Sequence, residues 1–133
     1  MPADLIRKAF RHWLGKGAVE PTPDDREAEF HLAYDDLHIG TLTHHDGQWT
    51  FEYTDGFRAR QDLRPIANFP DVTRVYKSDE LWPFFAFRIP SANSDAVQRI
   101  AERDHVDIRS EVEMLRRFGR RTIANPYELE PAR

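Results

Sequence analysis

The sequence contains no cysteine, which excludes disulfide bonds, thiolate metal ligands and a cysteine nucleophile. It also has no apolar run approaching the ~20 residues of a membrane-spanning helix. The first residues, MPADLIRKAFRHW, lack the continuous apolar core and the small-residue cleavage site of a secretory signal. These absences predict a cytoplasmic protein without a membrane segment.

Phosphate-binding and nucleophile motifs are absent as well. The six glycines are scattered singly, and there is no GxGxxG, no GxxxxGK[ST] and no kinase HRD or DFG motif. The four serines stand in cap-like or turn-like contexts, and none lies in a GxSxG elbow. We therefore predict a protein that is not an enzyme, with no catalytic residues and no cofactor. A binder of small ligands, or an enzyme of unrecognised type, is an alternative.

The histidines raise the question of a metal site. His38, His44, His45 and Asp46 lie near one predicted hairpin. Neighbours on a strand point to opposite faces, whereas zinc needs three or four converging ligands. We expect solvated turn histidines and no metal.

Lysine is scarce, with three lysines against sixteen arginines, and the net charge is −4. This balance argues against a dedicated phosphate-binding protein but leaves room for a local basic patch. The candidate patch is a quartet near the end of the last predicted helix: Arg116, Arg117, Arg120 and Arg121. It predicts phosphate or nucleic-acid binding as an alternative function, although positive charge at a helix C-terminus also favours the helix dipole.

At 133 residues the chain has the length of a single domain. We divide it into an amphipathic N-terminal helix (1–16), a Pro- and acid-rich linker (17–28), an aromatic-rich core (29–90) and C-terminal helices with a tail (91–133). Seven of the nine Phe, two of the three Trp and three of the four Tyr fall between Phe30 and Phe87. The hydrophobic core is therefore expected there.

Alternating apolar residues predict three strands in that region, beginning near Phe30, Leu37 and Trp49. Asp35-Asp36 and His45-Asp46-Gly47 supply turns between them, and Gly40 within the second strand indicates a bulge or a close backbone approach. Pro65 and Pro70 favour an irregular or edge segment, with a further short strand over 72–77. The predicted fold is α+β: a small, mainly antiparallel sheet with helices packed on it.

Three further helices are predicted after this sheet. Pro83 starts a short one through Arg88, and Asn93, Ser94 or Asp95 caps the next. Asp107 is expected to cap the last helix and Gly119 to end it. The tail is expected to pack through Ile123 and Tyr127 and then fray.

The run LWPFFAFRIP, residues 81–90, carries more aromatic area than one face of a short helix can bury. Core packing is expected for Phe84 and Phe87. Because Trp and Arg dominate interface hot spots, we predict a partner-binding site made of Trp82, Phe85 and Arg88, with Trp82 and Arg88 as exposed anchors. Core packing of Trp82 is the alternative.

The order LHIGTLTHHDGQWTFEY, DLRPIANFP and LWPFFAFRIP resembles the N-terminal subdomain of HipA-type serine/threonine kinases, over about residues 30–90. The residues that carry the resemblance are Gly40, Leu42, Phe51, Tyr53, Pro83, Phe84, Phe85, Ile89 and Pro90. The acidic residues that follow Leu-Pro in the family pattern are replaced here by Ser91-Ala92-Asn93. The first helix and the segment from Asp107 onward have no counterpart that we recognise.

A kinase core is not expected within 133 residues. A subdomain of this kind on its own resembles the small antitoxin of three-component HipBST systems. That resemblance implies a non-catalytic protein that binds and neutralises a HipA-like kinase toxin encoded nearby, with a helix-turn-helix protein as the third component. Contact with nucleic acid would then be indirect.

Overall fold

The computed structural model describes Asp24 and residues 26–132. The predicted helix over 1–16 and most of the linker 17–28 lie outside the described residues. The described elements follow in the order β1 (Ala28–Tyr34), β2 (Leu37–His45), β3 (Gln48–Tyr53), α1 (Asp55–Arg58), β4 (Tyr76–Ser78), α2 (Pro83–Ala86), α3 (Asp95–Arg103), α4 (Glu111–Phe118) and β5 (Glu128–Pro131).

The strands form one antiparallel sheet in the order β4-β3-β2-β1-β5, so the predicted α+β class is confirmed. The meander β1-β2-β3 is at its centre. Asp35 (φ 51°) lies in the first turn, and Asp46 (φ 50°) and Gly47 (φ 74°) form the second. Two successive positive φ values suit a two-residue hairpin, and Asp-Gly adopts them at low cost.

Gly40 in β2 combines the two features that a glycine within a strand indicates. The register between β1 and β2 shifts after Leu32, with Ile39 as the extra residue beside Gly40. A Cβ at position 40 would lie 2.4 Å from the ring of Phe51. The bulge and the close approach therefore occur together, and the space that glycine leaves is filled by a core ring.

The helices are short, and serine or threonine side chains cap three of them. The hydroxyls of Thr54, Ser94 and Ser110 accept hydrogen bonds from the third residue after them at the starts of α1, α3 and α4. The prediction of Asp107 as the last cap is wrong, because the chain makes a turn there before Ser110 starts α4. Helix α2 begins at Pro83 as predicted, and Gly119 ends α4.

The tail differs from the expectation. Residues 128–131 form β5, which pairs with β1 at the sheet edge and buries Leu129. Tyr127 packs against the core as predicted, whereas Ile123 is fully exposed in the turn before it. The tail therefore completes the sheet instead of fraying.

An N-terminal clasp joins the start of the described chain to α4. Asp24 Oδ2 accepts hydrogen bonds from Ser110 Oγ (2.8 Å) and Val112 N (3.0 Å), so a second side chain caps this helix. Arg26 forms ion pairs with three carboxylates: those of Asp24, Asp107 and Glu113. Burial acts to raise the pKa of Asp24, but hydrogen bonds led by that from Val112 outweigh it, and the pKa is lowered.

The core is formed by the sheet, the segment 54–90, and Val112 and Leu115 of α4. Its largest buried side chains are aromatic: Phe30, Trp49, Phe51, Tyr53, Phe57, Phe69 and Phe85. Phe69 is central among them, because its ring stacks on Phe51 at 4.3 Å and meets Trp82 edge-on at 5.0 Å. The aromatic-rich stretch therefore forms the core, as its composition predicted.

Candidate functional site

A groove with a volume of about 470 Å³ opens on the surface between three segments: residues 64–68, the start of α2 with Phe87, and the turn 122–127. Its walls are mainly apolar and include Ile66, Phe84 and Phe87. The volume is within the ~300–1,000 Å³ typical of ligand pockets.

Phe87 makes this groove unusual. Its side chain is 78 % exposed, although core packing was expected for it. The four-residue helix α2 turns Phe85 into the core and ends at Ala86, so Phe87 leaves on the opposite side. The fully exposed Ile123 lies in the turn that forms the far wall. Among the described residues, only one other large apolar side chain is exposed, that of Val75. An exposed aromatic at the rim of an apolar groove is typical of a protein contact surface.

Two hydrogen-bond centres hold the first wall, a buried one at Tyr53 and an exposed one at Asn68. The hydroxyl of Tyr53 donates to the carbonyl oxygen of Phe69 (2.6 Å) and accepts from the amide of Ile66 (2.9 Å), and burial raises its pKa to about 12. Asn68 Oδ1 accepts from the amide of Phe84 (3.0 Å), which ties this wall to the start of α2. The wall is thus fixed before any ligand binds, which lowers the entropy cost of binding.

Arg88 holds the wall formed by the turn 122–127 through hydrogen bonds to Asn125 and Tyr127. Its Nη1 donates to the carbonyl oxygens of Gly119 (3.2 Å) and Arg120 (3.3 Å). Its Nη2 donates to Asn125 Oδ1 and to the carbonyl oxygen of Tyr127, both at 3.0 Å. The side chain is buried and its Nε has no partner among the described residues. Burial lowers the pKa of Arg88 to about 10. This arginine binds backbone carbonyls where it was expected to reach a partner.

The three predicted partner-binding residues differ in exposure, and two of them are buried. Phe85 (0 % exposed) and Arg88 (4 % exposed) are buried, so the expectation that Arg88 is an exposed anchor is wrong for the chain alone. Apolar burial explains Phe85, and the cluster of carbonyl oxygens explains Arg88. Trp82 is partly buried against Phe69 and precedes α2 with an extended backbone, as expected before proline. Its partner role stays a prediction.

The arginine quartet is not an unopposed positive patch. Arg117 pairs with Asp104, Arg120 with Glu128 and Glu130, and Arg121 with Glu128, whereas Arg116 has no partner in the described chain. These nearby carboxylates offset much of the local positive charge. Phosphate binding by the quartet stays a prediction.

The groove offers little acid–base chemistry. Its titratable lining side chains are Arg64 and Tyr127, and burial raises the pKa of Tyr127. Within the described residues, no group of three or more His, Asp or Glu is arranged to hold a metal ion. His44 Nδ1 donates to the carbonyl oxygen of Arg26 (2.6 Å). His44 is buried, so the expectation of a solvated turn histidine is wrong for it, whereas His45 is exposed and pairs with Glu27. The two rings diverge as expected. The apolar groove is therefore suited to binding a ligand or a protein segment.

A protein-family model for the HipA N-terminal domain matches residues 30–124. The chain belongs to the HipA N-terminal domain family. The match extends beyond residue 90, so the predicted extent of the resemblance, about residues 30–90, was too short. Helices α3 and α4 are part of the family domain. A comparison with curated proteins gave no match.

Membership of this family fits a role related to toxin–antitoxin systems and suggests an association with HipA-like proteins. The HipA N-terminal domain is not the catalytic part of the kinase. Within the described residues, no helix is long and apolar enough to cross a membrane.

Proposed function

We propose that this HipA N-terminal domain is a non-catalytic interaction module that binds and neutralises a separate HipA-like serine/threonine kinase, as an antitoxin or regulatory subunit. The observation that carries the proposal is the exposed ring of Phe87 at the rim of a rigid apolar groove. Family membership supports a HipA-like protein as the class of partner. A rigid groove with a large aromatic at its rim has the features of an interface hot spot.

Burial of the Phe87 ring against a protein partner would be energetically favourable. Phe87 leaves most of its ring in water, and burying a Phe side chain is worth about 1.5–3 kcal/mol. Because the groove walls are already held by Tyr53, Asn68 and Arg88, little of that gain would be spent on ordering the site. Phe87 and the surrounding groove are therefore the proposed centre of the kinase contact.

The test uses the HipA-like kinase encoded nearest to the gene. Its affinity for the full chain and its autophosphorylation are measured with wild type, Phe87→Ser and Val75→Ser. Val75 is the matched control, since it is another exposed apolar side chain but does not line the groove. We expect Phe87→Ser to weaken binding by about 2 kcal/mol and to relieve inhibition, with Val75→Ser close to wild type. A kinase that neither binds nor loses activity with the wild-type chain would contradict the proposal.

A further inference from the structure

The polar atoms of the groove differ in how far they are already used. Asn68 Oδ1 accepts from the amide of Phe84, and Asn125 Oδ1 accepts from Arg88 and from the amide of Tyr127. Because these partners are donors, they fix which end of each amide is oxygen. Both amide oxygens are therefore engaged, and the Nδ2 group of each asparagine has no partner in the described part of the chain.

The remaining polar side chains of the groove can also donate. Thr122 Oγ1 already accepts from the amide of Ala124, which leaves its proton free. The hydroxyl of Tyr127 can donate as well as accept. Arg64 is exposed, is the single charged side chain in the lining, and forms no ion pair among the described residues. An apolar groove whose free polar side-chain atoms are mostly donors is complementary to a ligand that brings acceptors.

We propose that the groove binds an extended segment of the partner protein in which a bulky apolar side chain stands beside an aspartate or glutamate. The identity of the partner rests on the proposed function. The apolar side chain packs between Phe84 and Phe87, and the carboxylate pairs with the guanidinium of Arg64. Backbone carbonyls of the segment accept from the amide groups of Asn68 and Asn125.

Each part of this recognition has a physical counterpart in the groove. The guanidinium fork suits a planar carboxylate and forms two parallel hydrogen bonds with it. Carbonyl acceptors satisfy the asparagine amides, which would otherwise lose water without compensation when the apolar walls are covered. A basic segment would place like charge against Arg64 and leave its guanidinium without an acceptor. The groove is therefore selective for acidic-apolar segments over basic ones.

The experiment is a selection of displayed random linear peptides on the full chain, with counter-selection on Phe87→Ser. We expect enrichment of sequences with an aromatic or large aliphatic residue next to Asp or Glu. Enriched peptides, synthesised with a fluorescent label, should bind Arg64→Glu at least about tenfold more weakly. Arg99→Glu is the control, because Arg99 is exposed on α3 without a partner in the described chain. Replacing the acid of the peptide by lysine should restore binding to Arg64→Glu.

The other outcomes separate this inference from the proposed function. Enrichment of basic or uncharged sequences, or of peptides that bind Phe87→Ser equally well, would overturn the inference even if the kinase binds. Self-association of the chain that Phe87→Ser removes would assign the groove to a second copy and overturn it as well. Enrichment of the expected peptides together with a kinase that does not bind would keep the inference and contradict the proposed function.

Discussion

Arg88 donates a hydrogen bond from Nη2 to the carbonyl oxygen of Tyr127, 39 residues further along the chain, at 3.0 Å. This contact joins the end of the aromatic run to the residue before β5. The same side chain also binds the carbonyl oxygens at the end of α4. A single cation therefore connects a helix C-terminus, a turn and an edge strand. Positive charge is favourable at that helix end.

We predict that Arg88→Met lowers the free energy of unfolding by about 3 kcal/mol. Methionine preserves much of the buried volume, but it leaves carbonyl groups without donors in the interior. The measurement is urea unfolding followed by tryptophan fluorescence. Arg99→Met is the control and should be close to wild type, since Arg99 is exposed and without a partner in the described chain. A neutral Arg88→Met would mean that removing a buried cation offsets the lost hydrogen bonds.

The sequence was sufficient to predict the meander, because it carries both period-two alternation and turn residues that adopt positive φ. It was not sufficient for β5. Glu128–Pro131 is short, acidic and ends in proline, and it becomes a strand because the edge of β1 is available to pair with it. That pairing is a contact between residues about a hundred positions apart. No local pattern encodes it.

The aromatic run shows where periodicity fails as a guide to burial. Phe84 and Phe87 are three residues apart and would share a face on a longer helix. Helix α2 ends at Ala86, so the two rings are partly buried and exposed respectively. Arg88 was expected to be an exposed anchor because Trp and Arg dominate interface hot spots. The carbonyl oxygens that stabilise it lie at residues 119–127, beyond the reach of any local pattern.

Gly40→Ala tests the close approach of β2 to the core. The new Cβ would lie 2.4 Å from the ring of Phe51 and 2.9 Å from the carbonyl oxygen of Glu52. Since both neighbours are fixed in the sheet, we expect a loss of about 1–3 kcal/mol in the free energy of unfolding. Gly56→Ala in α1 is the control. Its Cβ would meet Leu37 at 3.6 Å, an ordinary contact, and we expect a neutral or slightly stabilising effect. Equal effects of the two substitutions would contradict the packing argument.

The N-terminal clasp predicts how stability depends on pH. The pKa of Asp24 and that of Asp107 are lowered, so at acidic pH the unfolded chain binds more protons than the folded one. Their contribution to stability is present above the carboxyl pKa of the unfolded chain. It is lost as pH falls below about 4 through the lower pKa of the folded chain.

Asp24→Asn removes the negative charge of Asp24 and one of its two acceptor oxygens. We expect a loss of about 1–2 kcal/mol in the free energy of unfolding at pH 7, with a smaller difference from wild type at pH 3. Unfolding in urea across this range measures both quantities. Asp79→Asn, at an exposed residue without a partner in the described chain, is the control. A difference between wild type and Asp24→Asn that is the same at both pH values would show that the carboxylate charge contributes nothing.

Trp82 is the remaining predicted anchor, and its position gives it two roles to separate. Its ring meets Phe69 edge-on at 5.0 Å and is partly buried, while its carbonyl oxygen accepts from the amides of Phe85 and Ala86 at the start of α2. Truncation must therefore cost core packing. If the accessible part of the indole also fills a pocket on a kinase, truncation must cost affinity as well, beyond what instability causes.

We predict that Trp82→Ala lowers the melting temperature and also weakens kinase binding by about 2 kcal/mol. Affinity is measured at a temperature where the variant is fully folded by circular dichroism, so that the two effects separate. Phe57→Leu is the control: this ring is 2 % exposed and stacks on Tyr53, so its loss destabilises the domain without removing a surface group. If both variants bind the kinase as tightly as wild type once folded, Trp82 acts only in the core, and the exposed ring of Phe87 stays as the proposed aromatic contact.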